Sequence, residues 1–537
     1  MSKTAEIGQP AVTSLVLRPR WAALLEPLLL VPDRLFNRLY SSRYNPLYQS
    51  GTLAILCLFI LIVTGVYTLF FYRIGAPYQS VGVLEEQWWG GRWIRALHTY
   101  AADAMIALAA IHVLRLLIQG RTWGPRTLAW ITGVVLVGSL LFSGWTGFVL
   151  VWDVQGQMLA VEGARILDVL PIFSEPIQRN FISRQGVASS FFFLNLLMHI
   201  LLPLWALALL WLHTLRVSKP AILPPYKLAV WATAGLTVLA VLYPVGQAPE
   251  ASFSRLLAVV PIDLFYSAWL IPARHLPAWV TLAGWIGAGA VAMSVPWWWK
   301  PRWQALLEPA VGNEALCTGC TQCYQDCPYE AVAMVPAPPG NTATQLVARV
   351  NPALCLSCGI CAGSCAPMVI GPPGRAGRDL VLEAQHFVER IRPRPADIVV
   401  MHCVQGASIG AGGAGLAGVH PYPLHCVAAT HTSVVEYLLR RGAGGVYLLA
   451  CPERDCAYRR GPRWMHERLY NDREAELRER VDKGRVRIGA FGRGERREAL
   501  ADLAAFHADI RRQAGQAVVE EQVDLGEICE PVEAKRG

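Results

Sequence analysis

Six long apolar segments, near residues 51–72, 95–118, 128–150, 189–214, 227–245 and 276–297, constrain this chain more than any other feature. Each is long enough as a helix to cross a hydrocarbon layer about 30 Å thick, where backbone polar groups must bond within the segment. The charge content agrees. Only 16% of the 537 residues are charged, against about 25% in soluble globular chains, which excludes a purely cytosolic enzyme. Residues 51–300 hold most of the long apolar runs, and residues 301–537 read as ordinary soluble protein. A seventh apolar stretch, 255–272, contains Pro261, Asp263 and Pro272 and reads as a surface or re-entrant piece. Trp21–Tyr40 alternates apolar residues with Arg34 and Arg38, the pattern of a segment lying flat on the interface. The first residues lack the basic stretch, short apolar core and cleavage site of a signal peptide.

Lys and Arg in the short loops predict the orientation. Lys3, Arg18, Arg20, Arg34, Arg38 and Arg43 precede the first span, and Arg115, Arg121, Arg126, Arg216, Lys219, Lys227, Lys300 and Arg302 fall on the same side. The opposite loops carry Glu85, Glu86, Glu162, Asp168, Glu175 and Glu250. The N-terminus is therefore expected inside and, with six spans, so is the C-terminal half. A net charge of +9 distributed this way fits a membrane protein with a basic inner side and implies no nucleic-acid partner.

Four histidines carry the chemistry expected of the membrane half. His98 and His112 lie on the second span and His199 and His213 on the fourth, each pair fourteen residues apart. That spacing is a rise of about 21 Å and returns to nearly the same helix face. Two such helices side by side can clamp two b-type haems by paired imidazoles, because neutral imidazole is a ligand that iron uses and hydrocarbon tolerates. The alternative is four unrelated histidines hydrogen-bonded within the bundle.

RALHTYAADAMIALAAIHVLR resembles the second helix of cytochrome b from quinol-oxidising bc-type complexes. The resemblance implies that Arg95 and Arg115 face haem propionates. It also implies that Gly51 and Gly65 on helix one, and Gly133 and Gly147 on helix three, let the backbone approach the porphyrin faces. GWTGFVLVWDVQGQMLA resembles the family's turn after helix three, with Val151 where the family has Pro. The fourteen-residue spacing of His199 and His213 matches the bc-type form, whereas the photosynthetic relative uses fifteen. Gln49 stands where that relative attaches an extra haem to cysteine, and Cys57, deeper in the helix, reads as packing. PIDLFYSAWLIPAR is similar to the family segment lining the outer quinol site, which makes Asp263 the candidate acidic residue there.

Cys317, Cys320, Cys323 and Cys327-Pro328 follow C-x2-C-x2-C-x3-C-P, and Cys355, Cys358, Cys361 and Cys365 repeat the spacing. The pattern resembles the two-cluster bacterial ferredoxins, in which the fourth cysteine of each run serves the other cluster. One 4Fe–4S cluster is then expected on Cys317, Cys320, Cys323 and Cys365, and a second on Cys355, Cys358, Cys361 and Cys327. Structural zinc is the alternative.

From Ala396 the pattern becomes α/β: DIVVMHC and GGVYLLAC read as buried strands, and SVVEYLLRRG as a helix ending at Gly442. Cys529 lies in the polar tail, and Cys403, Cys426, Cys451 and Cys456 remain, each at or near a strand end or turn. HC…HC…GAGGVYLLACPERDCAYRRG is similar to the delta subunit of methyl-viologen-reducing hydrogenase, with Gly406 in place of one family cysteine. The resemblance implies one 2Fe–2S cluster on these four; a disulfide or packing cysteines are the alternatives. GAGGAG at 410–415 matches GxGxxG formally, but His431 and Thr432 occupy the region where an acidic residue should follow, so it reads as a glycine-rich loop.

The expected fold is multidomain. An interfacial segment (1–50) precedes an all-α transmembrane haem-binding bundle (51–300). An α+β two-cluster ferredoxin module (301–395), a small α/β iron–sulfur domain (396–513) and a polar tail (514–537) follow. The expected function is an electron-transfer subunit of a larger hetero-oligomeric quinone oxidoreductase, with dimerisation open, in a prokaryotic inner membrane. It would link a cytoplasmic flavoprotein, heterodisulfide-reductase-like or hydrogenase partner to quinone. The ferredoxin module would be the internal wire and the C-terminal module the docking face, so that a chain ending after Arg390 keeps haems and 4Fe–4S clusters. Quinol oxidation driving reduction of a low-potential cytoplasmic acceptor is an alternative, as is a non-catalytic membrane anchor.

Overall fold

The computed structural model describes residues 24–172, 175–181, 187–215, 220–254, 261–299, 307–410, 415–471, 473 and 475–515. The chain divides into two units: residues 46–216 with 220–299, and residues 1–45 with 217–219 and 300–537. The first helix, α1 (Pro27–Tyr44), belongs to the second of these units, and Ser41 at φ 63 breaks it one turn before its end. Arg34 Nε donates to the Gly494 carbonyl at 2.8 Å, Arg38 pairs with Glu498 at 3.2 Å, and Arg493 pairs with Glu26 at 2.8 Å. Leu24, Leu28, Val31, Leu35 and Leu39 stand exposed in one row along and just before this helix.

The named elements of the membrane unit are all helices. It contains α2 (Ser50–Leu69), α3 (Pro77–Glu86), α4 (Gly91–Ile118), α5 (Thr127–Val151), α6 (Val154–Leu167), α7 (Ser189–Thr214), α8 (Tyr226–Leu242), α9 (Leu270–His275) and α10 (Ala278–Trp298). Five of these, α2, α4, α5, α7 and α10, are long and apolar enough to cross a membrane, and α8 is a shorter apolar helix of 17 residues. At 1.5 Å per residue α8 is about 26 Å long, near the lower limit for a span. The stretch 261–269 forms turns ahead of α9, and residues 255–260 of the expected seventh apolar stretch lie outside the described residues.

Burial in this unit runs opposite to that of a soluble protein. Phe59, Val63, Phe193, Leu204, Trp211, Trp231 and Ile286 face outward, while Ala96, Ala101, Ala206 and Ala240 are buried. Lipid leaves apolar side chains no reason to turn inward, so close packing at small residues joins the helices. α2 lies against α4, α5 against α7, and α8 against α4. Between α5 and α6, Trp152 adopts a left-handed conformation (φ 54), and its ring meets Phe192 edge-on at 5.0 Å. Asp153 caps α6, accepting from the backbone N–H of Gln155 at 3.1 Å and of Gly156 at 2.9 Å. A Cβ at Gly156 would lie 2.5 Å from the Phe148 carbonyl oxygen, so the turn closes only on glycine.

In the other unit, β1 (Val311–Gly312) pairs antiparallel with β4 (Ile370–Gly371), and β2 (Val332–Pro336) with β3 (Leu346–Val350). Two short helices, α11 (Gln322–Asp326) and α12 (Ile360–Gly363), sit between the cysteines of each run. α13 (Gly377–Ile391) leads into a parallel sheet of β5 (Ile398–Cys403), β6 (Val419–Leu424), β7 (Gly445–Ala450) and β8 (Val486–Ala490), in the order β6-β5-β7-β8. β7 is buried along its whole length, the continuous apolar run of a strand covered on both faces. α14 (Thr432–Arg440), α15 (Gly461–Tyr470) and α16 (Arg496–Gln513) complete the unit.

The segments expected as two separate modules share one hydrophobic core. It runs from Cys323, Cys327, Cys358, Cys361 and Cys365 through Phe387 and Tyr422 to Cys403, Cys426, Cys451 and Cys456. Phe387 meets Tyr422 edge-on at 4.8 Å, across the expected boundary at 395/396.

Candidate functional site

Three of the four histidines of the membrane unit have a threonine hydroxyl at Nδ1. Thr64 Oγ1 lies 2.8 Å from His98 Nδ1, Thr146 Oγ1 3.1 Å from His199 Nδ1, and Thr132 Oγ1 3.1 Å from His213 Nδ1. Each threonine hydroxyl is also close to a carbonyl one helical turn back: Ile60 at 2.7 Å, Ser143 at 2.7 Å and Leu128 at 2.8 Å. A hydroxyl has one proton, so when it is donated to the carbonyl the oxygen accepts from Nδ1–H. That fixes the tautomer and leaves Nε2 with the lone pair a metal needs. Tertiary contacts of this type orient metal-ligating imidazoles in general.

The next residue after each of these threonines is one of the predicted glycines. A Cβ at Gly65 would lie 3.3 Å from His98 Cε1, at Gly147 2.9 Å from His199 Cε1, and at Gly133 3.1 Å from His213 Cε1. Gly51 stands in the same relation to His112, at 3.0 Å. The glycines therefore make room for the imidazoles themselves. His98 and His199, from α4 and α7, face each other with ring centroids 6.4 Å apart. That separation matches two imidazoles on opposite sides of one ion with bonds of about 2 Å, once the ring radii are added. The residues present fit a bis-imidazole haem.

The arginines predicted to face propionates have protein partners. Arg95 Nη1 donates to Glu85 Oε1 and to the Val245 carbonyl, both at 2.6 Å. The Arg115 guanidinium lies over the Tyr48 ring at 4.5 Å. Asp263 caps its own turn: Oδ1 accepts from the backbone N–H of Phe265 at 2.8 Å and of Tyr266 at 2.7 Å. Tyr266 ties that turn to α4 by donating its hydroxyl to the Ala102 carbonyl at 2.8 Å. The neighbouring Asp103 has one buried carboxylate oxygen, Oδ1, without a hydrogen-bond partner among the described residues. Cys57 packs with Leu58 and Met105, as a core residue.

The eight ferredoxin-pattern cysteines separate into the two expected groups. Cys317, Cys320, Cys323 and Cys365 line one cavity with Met334, Pro367 and Ile370. Cys327, Cys355, Cys358 and Cys361 line a second with Tyr329, Val332 and Ile360. Backbone N–H groups point at the sulfurs: Ala331 to Cys327 Sγ at 3.3 Å, and Ala310 and Ser357 to Cys355 Sγ at 3.4 Å each. Val369 does the same for Cys365 Sγ at 3.4 Å. Burial pushes the Cys323 and Cys358 thiols up to about 12, so as free thiols they stay protonated, and only a bound cation would stabilise the thiolates.

The third group gathers at the C-terminal ends of three parallel strands, where the strand order reverses and α/β folds place their ligands. Cys403 ends β5, Cys426 follows β6 and Cys451 follows β7. Cys451 Sγ lies 3.4 Å from Cys403 Sγ, and the Cβ position of Gly461 is 3.5 Å from Cys426 Sγ and 3.7 Å from Cys456 Sγ. Beside them, burial pulls the His425 imidazole down to about 3, and it shares a hydrogen bond with the Tyr458 hydroxyl. Residues 411–414 of the glycine-rich loop lie outside the described residues.

The second and third groups adjoin. The missing Cβ of Gly359 would lie 2.8 Å from the Ala429 Cβ, and the Tyr329 hydroxyl donates to the Ala457 carbonyl at 3.3 Å.

The family comparisons match two stretches of the chain. Residues 35–220 match the family described as cytochrome b/b6/petB, and residues 398–513 match methyl-viologen-reducing hydrogenase, delta subunit. The chain thus joins a cytochrome b-type membrane region to a hydrogenase-delta-type region, and it is a membrane protein. Cytochrome b6 of Auxenochlorella protothecoides is 26% identical over 203 residues, covering 36% of this chain and 92% of that protein. A chain from a hyperthermophilic respiratory complex III aligns with a TM-score of 0.36 at 16% identity, over 47% of this chain and 75% of that chain.

The threonines behind the histidines, Asp103 and the buried Arg468 were not singled out from sequence. A signal for the threonines exists: Ser50-Gly51, Thr64-Gly65, Thr132-Gly133 and Thr146-Gly147 repeat at the histidines' own interval of fourteen.

Proposed function

We propose that this chain is the membrane-bound electron-transfer subunit of a quinone oxidoreductase, exchanging electrons between a cytoplasmic redox partner and the quinone pool. The observation that carries the reading is the single core shared by the three cysteine groups, in which Gly359 packs on Ala429 and the Tyr329 hydroxyl donates to the Ala457 carbonyl. His98 with His199, and His112 with His213, would hold two b haems. Cys317, Cys320, Cys323 and Cys365 would hold one 4Fe–4S cluster and Cys327, Cys355, Cys358 and Cys361 another, with a 2Fe–2S cluster on Cys403, Cys426, Cys451 and Cys456. These groups supply one-electron transfer; the chain's own residues set the order, exclude water and fix the ligand tautomers.

Chain connectivity supports an inner-side entry, since residues 299–316 alone separate α10 from Cys317. The exposed leucine row of α1 is the face that an interfacial position requires. Asp103 and Asp263, brought to one place by the Tyr266–Ala102 hydrogen bond, are the carboxyls offered for quinone proton exchange. Arg459, Arg460 and Arg463 near the third cysteine group offer cations to an acidic partner of the flavoprotein, heterodisulfide-reductase-like or hydrogenase type. Charges of this kind act mainly on encounter and orientation.

Metal analysis of the full chain tests the reading. It should find about two b haems and about ten cluster irons per chain. A content of one zinc per four cysteines, or no haem, would overturn it.

A further inference from the structure

Arg468 is a fully buried cation on α15, 1% exposed. Among the described residues its guanidinium donates to backbone carbonyls alone: Nε to Trp464 at 3.2 Å, Nη1 to Thr430 at 3.0 Å and Nη2 to Ala428 at 2.8 Å. Among the described residues no carboxylate forms an ion pair with it. Asp326, the buried acid at the end of α11, is already engaged: Oδ2 accepts from Ser364 Oγ at 2.6 Å, and Oδ1 pairs with Arg473. A buried charge with neutral partners is strongly destabilising unless an opposite charge lies close by.

The position of Arg468 indicates which charge that is. A Cβ at Gly363, between Cys361 and Cys365, would lie 2.2 Å from Arg468 Nη1 and 2.4 Å from the Ala428 carbonyl oxygen. Two of the three carbonyls it binds, those of Ala428 and Thr430, follow Cys426 within four residues. Four thiolates on an iron–sulfur core leave a net negative centre. Arg468 stands where two such centres would approach each other.

We propose that Arg468 is an electrostatic positioning residue at the junction of the Cys426 site and the Cys358 site, raising the reduction potentials of both and balancing their charge. This rests on the reading of Cys403, Cys426, Cys451 and Cys456 as cluster ligands. Asp326, whose side chain is fully buried beside Cys327, is the opposing charge and pulls the potentials down. Low dielectric makes both effects insensitive to salt.

EPR-monitored redox titration of the full-length protein tests the proposal with Arg468→Gln, Arg468→Lys and Asp326→Asn. Arg468→Gln should move the oxidised-to-reduced equilibrium of the junction centres about tenfold toward oxidised, a fall of about 59 mV for one electron. Arg468→Lys keeps the charge and should stay near the parent, and Asp326→Asn should move the equilibrium the other way. Unchanged potentials in an Arg468→Gln protein with intact signals would overturn the proposal, as would an equal shift in Arg468→Lys. Should Arg468→Gln not assemble its clusters, Asp326→Asn decides: a raised potential supports the proposal, and an unchanged or lowered one overturns it. Absence of a 2Fe–2S signal from the parent protein would instead refute the ligand reading beneath it.

Discussion

Thr64, Thr132 and Thr146 show what a single hydroxyl does inside an apolar helix. Each lies within hydrogen-bonding distance of a histidine Nδ1 while its own proton can go to a carbonyl one turn back. An acceptor at Nδ1–H makes the imidazole a stronger donor to a metal at Nε2 and favours the oxidised state. Thr64→Val should therefore keep the haem on His98 and His199 but raise its midpoint potential, read by optical redox titration; a lowered or unchanged potential would contradict the assignment. The histidines were legible from spacing because two equal intervals in two spans are hard to produce by packing. The threonines were not, since threonine in an apolar helix ordinarily returns its hydroxyl to its own backbone and has no further role. On the soluble side, His431 caps α14 by accepting from Ser433 N–H at 3.1 Å, and burial pulls its imidazole down to about 4. A depressed histidine pKa favours the folded state above the unfolded value near 6.5, and that stability is lost as pH falls toward about 4. His431→Asn should keep the cap without the titration and flatten the acid side of a thermal-denaturation profile, and equal acid sensitivity in both proteins would contradict it.

Elements were legible where burial dictated the pattern. The strand readings of DIVVMHC and GGVYLLAC correspond to β5 and β7, the two central strands, and the helix of SVVEYLLRRG ends before Gly442 at φ +106. β6 and β8 were not foreseen. β6 contains Pro421 and Pro423, which argue against a strand in sequence, and it is tolerated because it lies at the sheet edge beside β5. The short helix α12 has a sharper constraint, because its Gly363 faces the Ala428 carbonyl and Arg468. Gly363→Ala should destabilise this unit by roughly 1–3 kcal/mol through overpacking. It should also weaken the signals of the Cys358 and Cys426 sites together in EPR. Loss of one signal alone would mean that the two sites do not share this contact.

At the scale of the whole molecule, the membrane bundle and the order of cysteine groups could be read from the sequence, whereas the way the cysteine segments join could not. Linear spacing predicted a boundary at 395/396, but Phe387 on Tyr422 and Gly359 on Ala429 build one core across it. Contacts between distant segments leave no periodic trace in either one. A chain ending after Arg390 would expose that core, so it should keep haem on its histidines and lose the Cys358 cluster signal along with the 2Fe–2S signal. Retention of both 4Fe–4S signals would show that the ferredoxin-pattern segment folds alone.

Rapid mixing tests the central claim most directly. The oxidised full-length protein and its Cys451→Ser variant would each be mixed with the reduced redox partner or a low-potential viologen, and separately with quinol, while haem absorbance is followed. An entry through the cysteine groups predicts that Cys451→Ser slows partner-driven haem reduction at least about tenfold and leaves quinol-driven reduction at the parent rate. Equal partner-driven rates in the two proteins, with the 2Fe–2S signal gone from the variant, would show that electrons reach the haems by another route.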